Sequence, residues 1–183
     1  MNPENLLDHV AFVGLPGSGK STIGRQLARR WNWLFLDSDQ IIEQRVGLSI
    51  REFFEREGEE AFRDLEQSVI DELTAGKPCV LSTGGGAVLR KANREHLRQR
   101  SHAIYLHSLP EEVFRRLRHD RNRPLLQVAD PLARLRELYA VRDPLYRESA
   151  RLVVETGRPS VPALVHLIAA QLEDLGLVPA SGK

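Results

Sequence analysis

The chain has 183 residues, 42% hydrophobic and 28% charged, a balance that predicts one globular domain over residues 1–183 with an ample core. Its 26 basic and 25 acidic residues leave a formal net charge of +1, so no overall positive field draws it onto nucleic acid or an anionic membrane, and any anion site must be local. A lone Cys79 excludes an internal disulfide, MNPENLLDH lacks the basic and apolar stretches of a secretory signal, and the longest apolar tract, Ala163 to Leu172, is too short to span a bilayer; the expectation is a cytoplasmic monomer with no nucleic-acid or membrane partner.

In chain order, the apolar run Val10 to Val13 predicts a first strand, and GLPGSGKS follows it at residues 14–21. This is a complete GxxxxGK[ST] phosphate-binding loop. Its glycines let backbone N–H groups of Gly17, Ser18 and Gly19 curl around an anion, Lys20 reaches the outer phosphates, and the Ser21 hydroxyl suits Mg²⁺. The helix that opens through Thr22 aims its positive end at the same spot, and Ile23, Leu27 and Trp31 give it a buried stripe. The motif predicts a nucleoside triphosphate site.

A second strand, Leu34 to Leu36, delivers Asp37 and Asp39 at the carboxyl edge of a sheet, where open α/β folds bind ligands. Residues two apart on a strand face one way, so both carboxylates are expected in one cleft. One would support the Mg²⁺ shell while the other accepts a proton from, or orients, a substrate hydroxyl. The plainer alternative is that one of them caps a helix beginning at Ile41. Gly47 is expected to close that helix, and Ser49 with Glu52 has the spacing of a capping box for the next. Phe62, Leu65, Val69 and Leu73 then mark one face of a longer helix that Gly76 terminates. Arg63 lies one residue off this apolar stripe, an odd place for a charge unless an anion faces it.

Cys79 to Leu81 predicts a third strand, ending in Ser82, Thr83 and the triplet Gly84, Gly85 and Gly86. Such a triplet allows close approach to the backbone and suits a polar substrate wall. Ala103 to Leu106 is a fourth strand, and Ser108 with Glu111 reads as a second cap. The polar segment HDRNRPLLQV breaks the βα rhythm as an exposed loop in which Arg123 is a mobile cation able to close over a transferring phosphoryl group. Asp130 and Pro131 start the next helix. Arg142 sits in VRDPLYR just before a proline, where a turn is expected. Leu152 to Val154 is the fifth strand, Val161 to Leu175 an amphipathic helix, and the tail PASGK is expected to fray. The alternation predicts an α/β protein of three layers. The six histidines show no ligand spacing and no cysteine pair exists, which argues against zinc.

Together, GLPGSGKSTIG, FLDSD, EEAFRDLE, STGGGAV, RNRPLL and RDPLYRE resemble the shikimate kinase family, small P-loop kinases of the nucleoside monophosphate kinase-like group. The segments occur in the family's order from about Asp8 to Leu175. The resemblance implies a P-loop NTPase fold whose five parallel strands lie in the order 2-3-1-4-5, with helices on both faces. A substrate-binding region would lie at about 38–66 and a lid at about 118–129. It implies transfer of the ATP γ-phosphoryl group to the 3-hydroxyl of shikimate, in aromatic amino acid biosynthesis, with Mg²⁺.

Carried over by residue, Gly17, Ser18, Gly19, Lys20, Ser21 and Thr22 wrap the phosphates, and Ser21 and Asp37 serve the metal. Asp39 meets the substrate hydroxyls and is the family's base. Arg63 and Arg142 hold the carboxylate, with Gly85 and its neighbours Gly84 and Gly86 beside them, and Arg123 is the lid arginine. Arg158 in TGRPS stands nearest to an arginine that contacts adenine, although Pro159 falls at the strict spacing. The competing reading is another small-molecule P-loop kinase, such as a gluconate kinase. A regulatory GTPase is disfavoured because NKxD is absent.

Overall fold

A computed structural model describes residues 9–119 and 127–177. Five strands, β1 (His9–Val13), β2 (Leu34–Asp37), β3 (Cys79–Ser82), β4 (His102–His107) and β5 (Leu152–Glu155), form one parallel sheet in the order β2-β3-β1-β4-β5. This is the order that the resemblance implies. The helices are α1 (Lys20–Trp31), α2 (Ser38–Val46), α3 (Ile50–Ala75), α4 (Lys91–Arg100), α5 (Pro110–Leu117), α6 (Pro131–Ser149) and α7 (Val161–Asp174).

The central strands β1, β3 and β4 are buried at every position because both faces are covered. Ala11, Val13, Leu81, Ala103 and Tyr105 pack with Phe62, Val69 and Ile70 of α3, Leu97 of α4, and Leu135 and Tyr146 of α6. The alternate residues Val10, Phe12, Val80, Ile104 and Leu106 pack on the other face with Ile23, Leu27 and Trp31 of α1 and Leu164, Ile168 and Leu172 of α7. Each such fully buried side chain contributes roughly 1.5–3 kcal/mol. Alternation along the strands therefore produces two cores and fixes which helices lie on which side.

Local signals set most helix ends. Gly47 caps α2 with φ +70°, and Ser49 and Glu52 form a reciprocal capping box at α3, with Glu52 N–H donating to Ser49 Oγ at 3.1 Å and Ser49 N–H to Glu52 Oε2 at 3.0 Å. Asp130 caps α6 through the Ala133 N–H, and Gly76 ends α3.

Four expectations need correction. The strand β2 ends at Asp37, and Asp39 lies in the first turn of α2 rather than on the strand. The two helices expected between Ser49 and Gly76 form one run, interrupted only at Gly58, whose φ of +85° breaks the helical path. Ser108 does not cap α5: the N-cap is Leu109, whose N–H donates to Glu112 Oε2 at 2.9 Å, while the buried Ser108 hydroxyl pairs with Thr156. Pro144 does not turn the chain, because α6 continues through it to Ser149. Strong packing of Leu138 and Tyr146 on either side outweighs the lost N–H.

Candidate active site

All five strands point their carboxyl ends at one edge, and the loops leaving β1, β2 and β3 meet there around a cleft of about 490 Å³. The first wall is the loop before α1. Gly17, Gly19, Lys20, Ser21 and Thr22 line the cleft. Ser18 is buried and faces an adjoining cavity. Gly19 stands at the helix N-terminus with φ +97°, a conformation that glycine adopts without strain. Lys20 is buried, its Nζ donating to the Gly14 and Leu15 carbonyls at 2.8 and 2.9 Å. The ammonium is thus held within the loop that would cradle an anion.

Asp37, at the end of β2, has two tasks. One carboxylate oxygen caps α2, accepting from the Asp39 and Gln40 N–H groups at 3.0 and 3.2 Å. The other accepts from Ser21 Oγ at 2.7 Å, with Ser82 Oγ 3.2 Å from the same hydroxyl. The capping alternative and the metal-shell expectation are therefore compatible on one side chain. Ser21, Asp37 and Ser82 present hard oxygens of the kind Mg²⁺ takes alongside phosphate and water. Among the described residues no group of three or more His, Cys, Asp or Glu side chains is arranged to hold a metal, and a Mg²⁺ site of this composition does not need one.

A second cavity of about 140 Å³ opens beside the cleft. Asp39, Gly84 and Gly85 line both. Arg63, Glu66, Gly86 and Arg142 line the second, with Phe54 and Phe62. The structure thus brings together two arginines from α3 and α6, far apart in sequence. Arg63 is 7% exposed, stacks over Phe62 at 5.2 Å, and donates from Nη1 to the buried Glu66 at 2.8 Å.

The glycine triplet has a steric reason. A Cβ on Gly84 would sit 2.6 Å from Asp39 Oδ1, and one on Gly86 would sit 2.4 Å from Arg63 Nη2. Only backbone without side chains lets the carboxylate and the guanidinium lie against this turn.

Three buried polar atoms around this cavity have no hydrogen-bond partner: Asp39 Oδ1, Arg63 Nε and Glu66 Oε2. Buried polar groups are almost always satisfied, so a cluster of orphans marks a place where another molecule supplies the partners. Asp39 is also electrostatically set for proton transfer. Burial first, then the charges of Glu66 and Asp37, push its carboxyl up to about 7 from the ordinary 3.8, with Lys20 pulling the other way. A carboxyl that titrates near neutrality fits a general base.

A third cavity adjoins the other end of the cleft, lined by Gly17, Ser18, Thr22, Arg116, Pro159 and Leu164. Arg116 was not singled out by sequence reasoning. It lies on the exposed-looking face of α5, and only the fold turns its guanidinium onto the β5–α7 loop, where Nη2 donates to the Thr156 carbonyl at 2.8 Å. Arg158 is exposed and lines none of these cavities; Pro159 is the residue of that loop which does. Arg123 and most of the expected lid lie outside the described residues, as do the first eight residues and the tail after Leu177. Among the described residues no helix is long and apolar enough to cross a membrane.

Comparison with known proteins agrees with this geometry. The family model described as shikimate kinase matches residues 16–173. A shikimate kinase of Paracidovorax citrulli is 59% identical over 94% of this chain and 96% of its own, and one of Ralstonia nicotianae is 54% identical over 94% and 90%. A solved shikimate kinase from Acinetobacter baumannii in complex with shikimate is 44% identical and superposes with a TM-score of 0.87 over 92% of this chain and 94% of its own. A gluconokinase from Sinorhizobium meliloti, 18% identical with a TM-score of 0.57 over 94% and 98% of the two chains, shares the fold alone. Sequence and structure agree that the chain belongs to the shikimate kinase family.

Proposed function

We propose that the three adjoining cavities hold, from one end to the other, the base of ATP, its phosphates, and shikimate, with Asp39 at the junction of phosphate and acceptor. The base lies in the cavity of Arg116, Pro159 and Leu164, a guanidinium plane and an apolar wall suited to an aromatic ring. Backbone N–H groups of Gly17 to Thr22 and the Lys20 ammonium take the phosphates. Ser21 and Asp37 are the side chains that would hold Mg²⁺, which supplies neutralisation of phosphate charge when bound.

Shikimate carries one carboxylate and three hydroxyls, so its recognition needs a cationic fork and an acceptor. Arg63 and Arg142 supply the fork and Asp39 the acceptor. Asp39 then takes the proton from the attacking 3-hydroxyl, and the new P–O bond forms as the bond to the ADP oxygen breaks. Arg123, in the segment proposed as a lid, adds positive charge over the transferring group and helps exclude water. The observation that carries this reading is the convergence of unpartnered Asp39 Oδ1 and Arg63 Nε on one small cavity that Arg142 also lines.

An assay of ADP release with Mg²⁺ and ATP over a panel of hydroxy acids tests it. Rapid release is expected with shikimate, at a turnover on the order of 1–100 per second. Equal release with gluconate, or with no acceptor, would overturn it.

A further inference from the structure

Tyr146 is completely buried on α6, one helical turn beyond Arg142, and nothing in the reaction scheme above uses it. Side chains four apart on a helix lie on one face. The Tyr146 hydroxyl donates to the Gly85 carbonyl at 2.6 Å, and the Arg142 guanidinium lies near enough to act on the same oxygen electrostatically. Both of those partners line the cavity assigned to shikimate. A phenol has one proton to give and lone pairs to receive. Here the proton goes to the glycine turn, which leaves the lone pairs of the oxygen open to the neighbouring arginine.

The ring that carries this hydroxyl has little freedom. It packs on Tyr105 of β4 with centroids 5.0 Å apart. The Tyr105 hydroxyl donates to Asp143, the residue after Arg142, at 2.8 Å. One turn earlier, Tyr139 pairs with His107 at 2.8 Å. Successive turns of α6 are therefore tied to the carboxyl end of β4, and Arg142 projects from the tied segment. Holding the Gly85 carbonyl also sets the direction of the Gly86 N–H, because a trans peptide points the two groups opposite ways.

We propose that Tyr146 is a positioning residue for the acceptor substrate, coupling the Arg142 guanidinium to the Gly85–Gly86 peptide so that both are preset as one cradle for the carboxylate. This rests on the assignment of Arg142 to the shikimate carboxylate. It predicts a penalty that falls on shikimate, not on ATP, and that vanishes when Arg142 can no longer form its fork.

The test is a double-mutant cycle with Tyr146→Phe and Arg142→Lys, reading KM for each substrate. Tyr146→Phe should raise KM for shikimate roughly 10-fold, the scale of a lost hydrogen bond to a charged or buried partner, with KM for ATP changed less than about twofold. In the Arg142→Lys background it should add less than about twofold. A merely structural tyrosine would instead raise both KM values together, or give the same penalty in both backgrounds; either result overturns the proposal. An unchanged KM for shikimate in Tyr146→Phe, with a raised one in Arg142→Lys, removes only the proposal. An unchanged value in Arg142→Lys removes the carboxylate clamp itself.

A measurement on the wild-type protein covers failure of the variant to fold. With only three tyrosines, ¹³Cζ-tyrosine labelling gives three resonances, assigned by elimination with Tyr105→Phe and Tyr139→Phe. The Tyr146 resonance should move on adding shikimate and not on adding ADP. A signal that ignores shikimate overturns the proposal as well.

Discussion

Replacing Asp39 by Asn should change activity and stability in opposite directions. The Asp39 carboxyl is pushed up to about 7, chiefly by burial and then by Glu66 and Asp37. The folded protein therefore holds this proton more tightly than the unfolded chain, whose aspartate titrates near the ordinary 3.8. Stability from the bound proton is fully present below that value and is lost as pH rises through about 7. Over this window each pH unit removes about 1.4 kcal/mol from the wild type relative to an amide that never ionises.

Between pH 5 and pH 7 the advantage of Asp39→Asn should thus grow by about 2 kcal/mol, or on the order of 5 °C in Tm for a chain of this size, and then level off. Turnover should fall about 100-fold because the group proposed to accept the hydroxyl proton is gone, while ATP still binds. Melting curves of both proteins across pH, with the ADP assay alongside, measure each effect. A Tm difference independent of pH would refute the raised carboxyl, and near-normal turnover would remove Asp39 from the base role.

Three further outcomes are expected. For the wild type, kcat/KM for shikimate should rise tenfold per pH unit below about 7 and flatten above it, since only the ionised Asp39 accepts a proton; a flat profile from pH 5.5 to 8.5 would contradict this. Gly86→Ala places a methyl 2.4 Å from Arg63 Nη2, and that guanidinium is boxed in by Glu66 and Phe62. KM for shikimate should then rise about 10-fold or more with KM for ATP little changed, and equal shifts in both would refute the steric argument. Arg116→Ala should instead raise KM for ATP several-fold, on the scale of about 1 kcal/mol for a guanidinium on an aromatic face, and leave KM for shikimate in place; the reverse pattern would move the base out of that cavity.

The parts of the site that lie within one short stretch were legible in the sequence. Lys20 and Ser21 belong to a loop whose spacing is itself the geometry, and Asp37 follows directly from a strand end. Asp39 was placed in the cleft for a partly mistaken reason: it comes from the first turn of α2, because Asp37 caps that helix and ends the strand. Arg63 was visible as a charge beside an apolar stripe. Its reason for being there, an aromatic wall and a buried Glu66 one turn on, was not. Arg116 gave no signal, being one arginine among many on a polar helix face. The loop carrying Arg158 and Pro159 was found, but which of the two turns inward depends on how that loop packs.

By itself the sequence determined the five strands, the phosphate loop and the caps at Gly47, Ser49, Gly76 and Asp130, because each depends on residues within a few positions of one another, through alternation, 3.6-residue spacing or a hydrogen bond across one turn. The tertiary structure alone decided that Arg63 of α3 and Arg142 of α6 share a cavity, that all three glycines after β3 are needed to admit Asp39, Pro16 and Arg63, and that a buried tyrosine ties this turn to α6. Those contacts join elements far apart along the chain. They come from how helices stack on the two faces of the sheet, which no local pattern encodes.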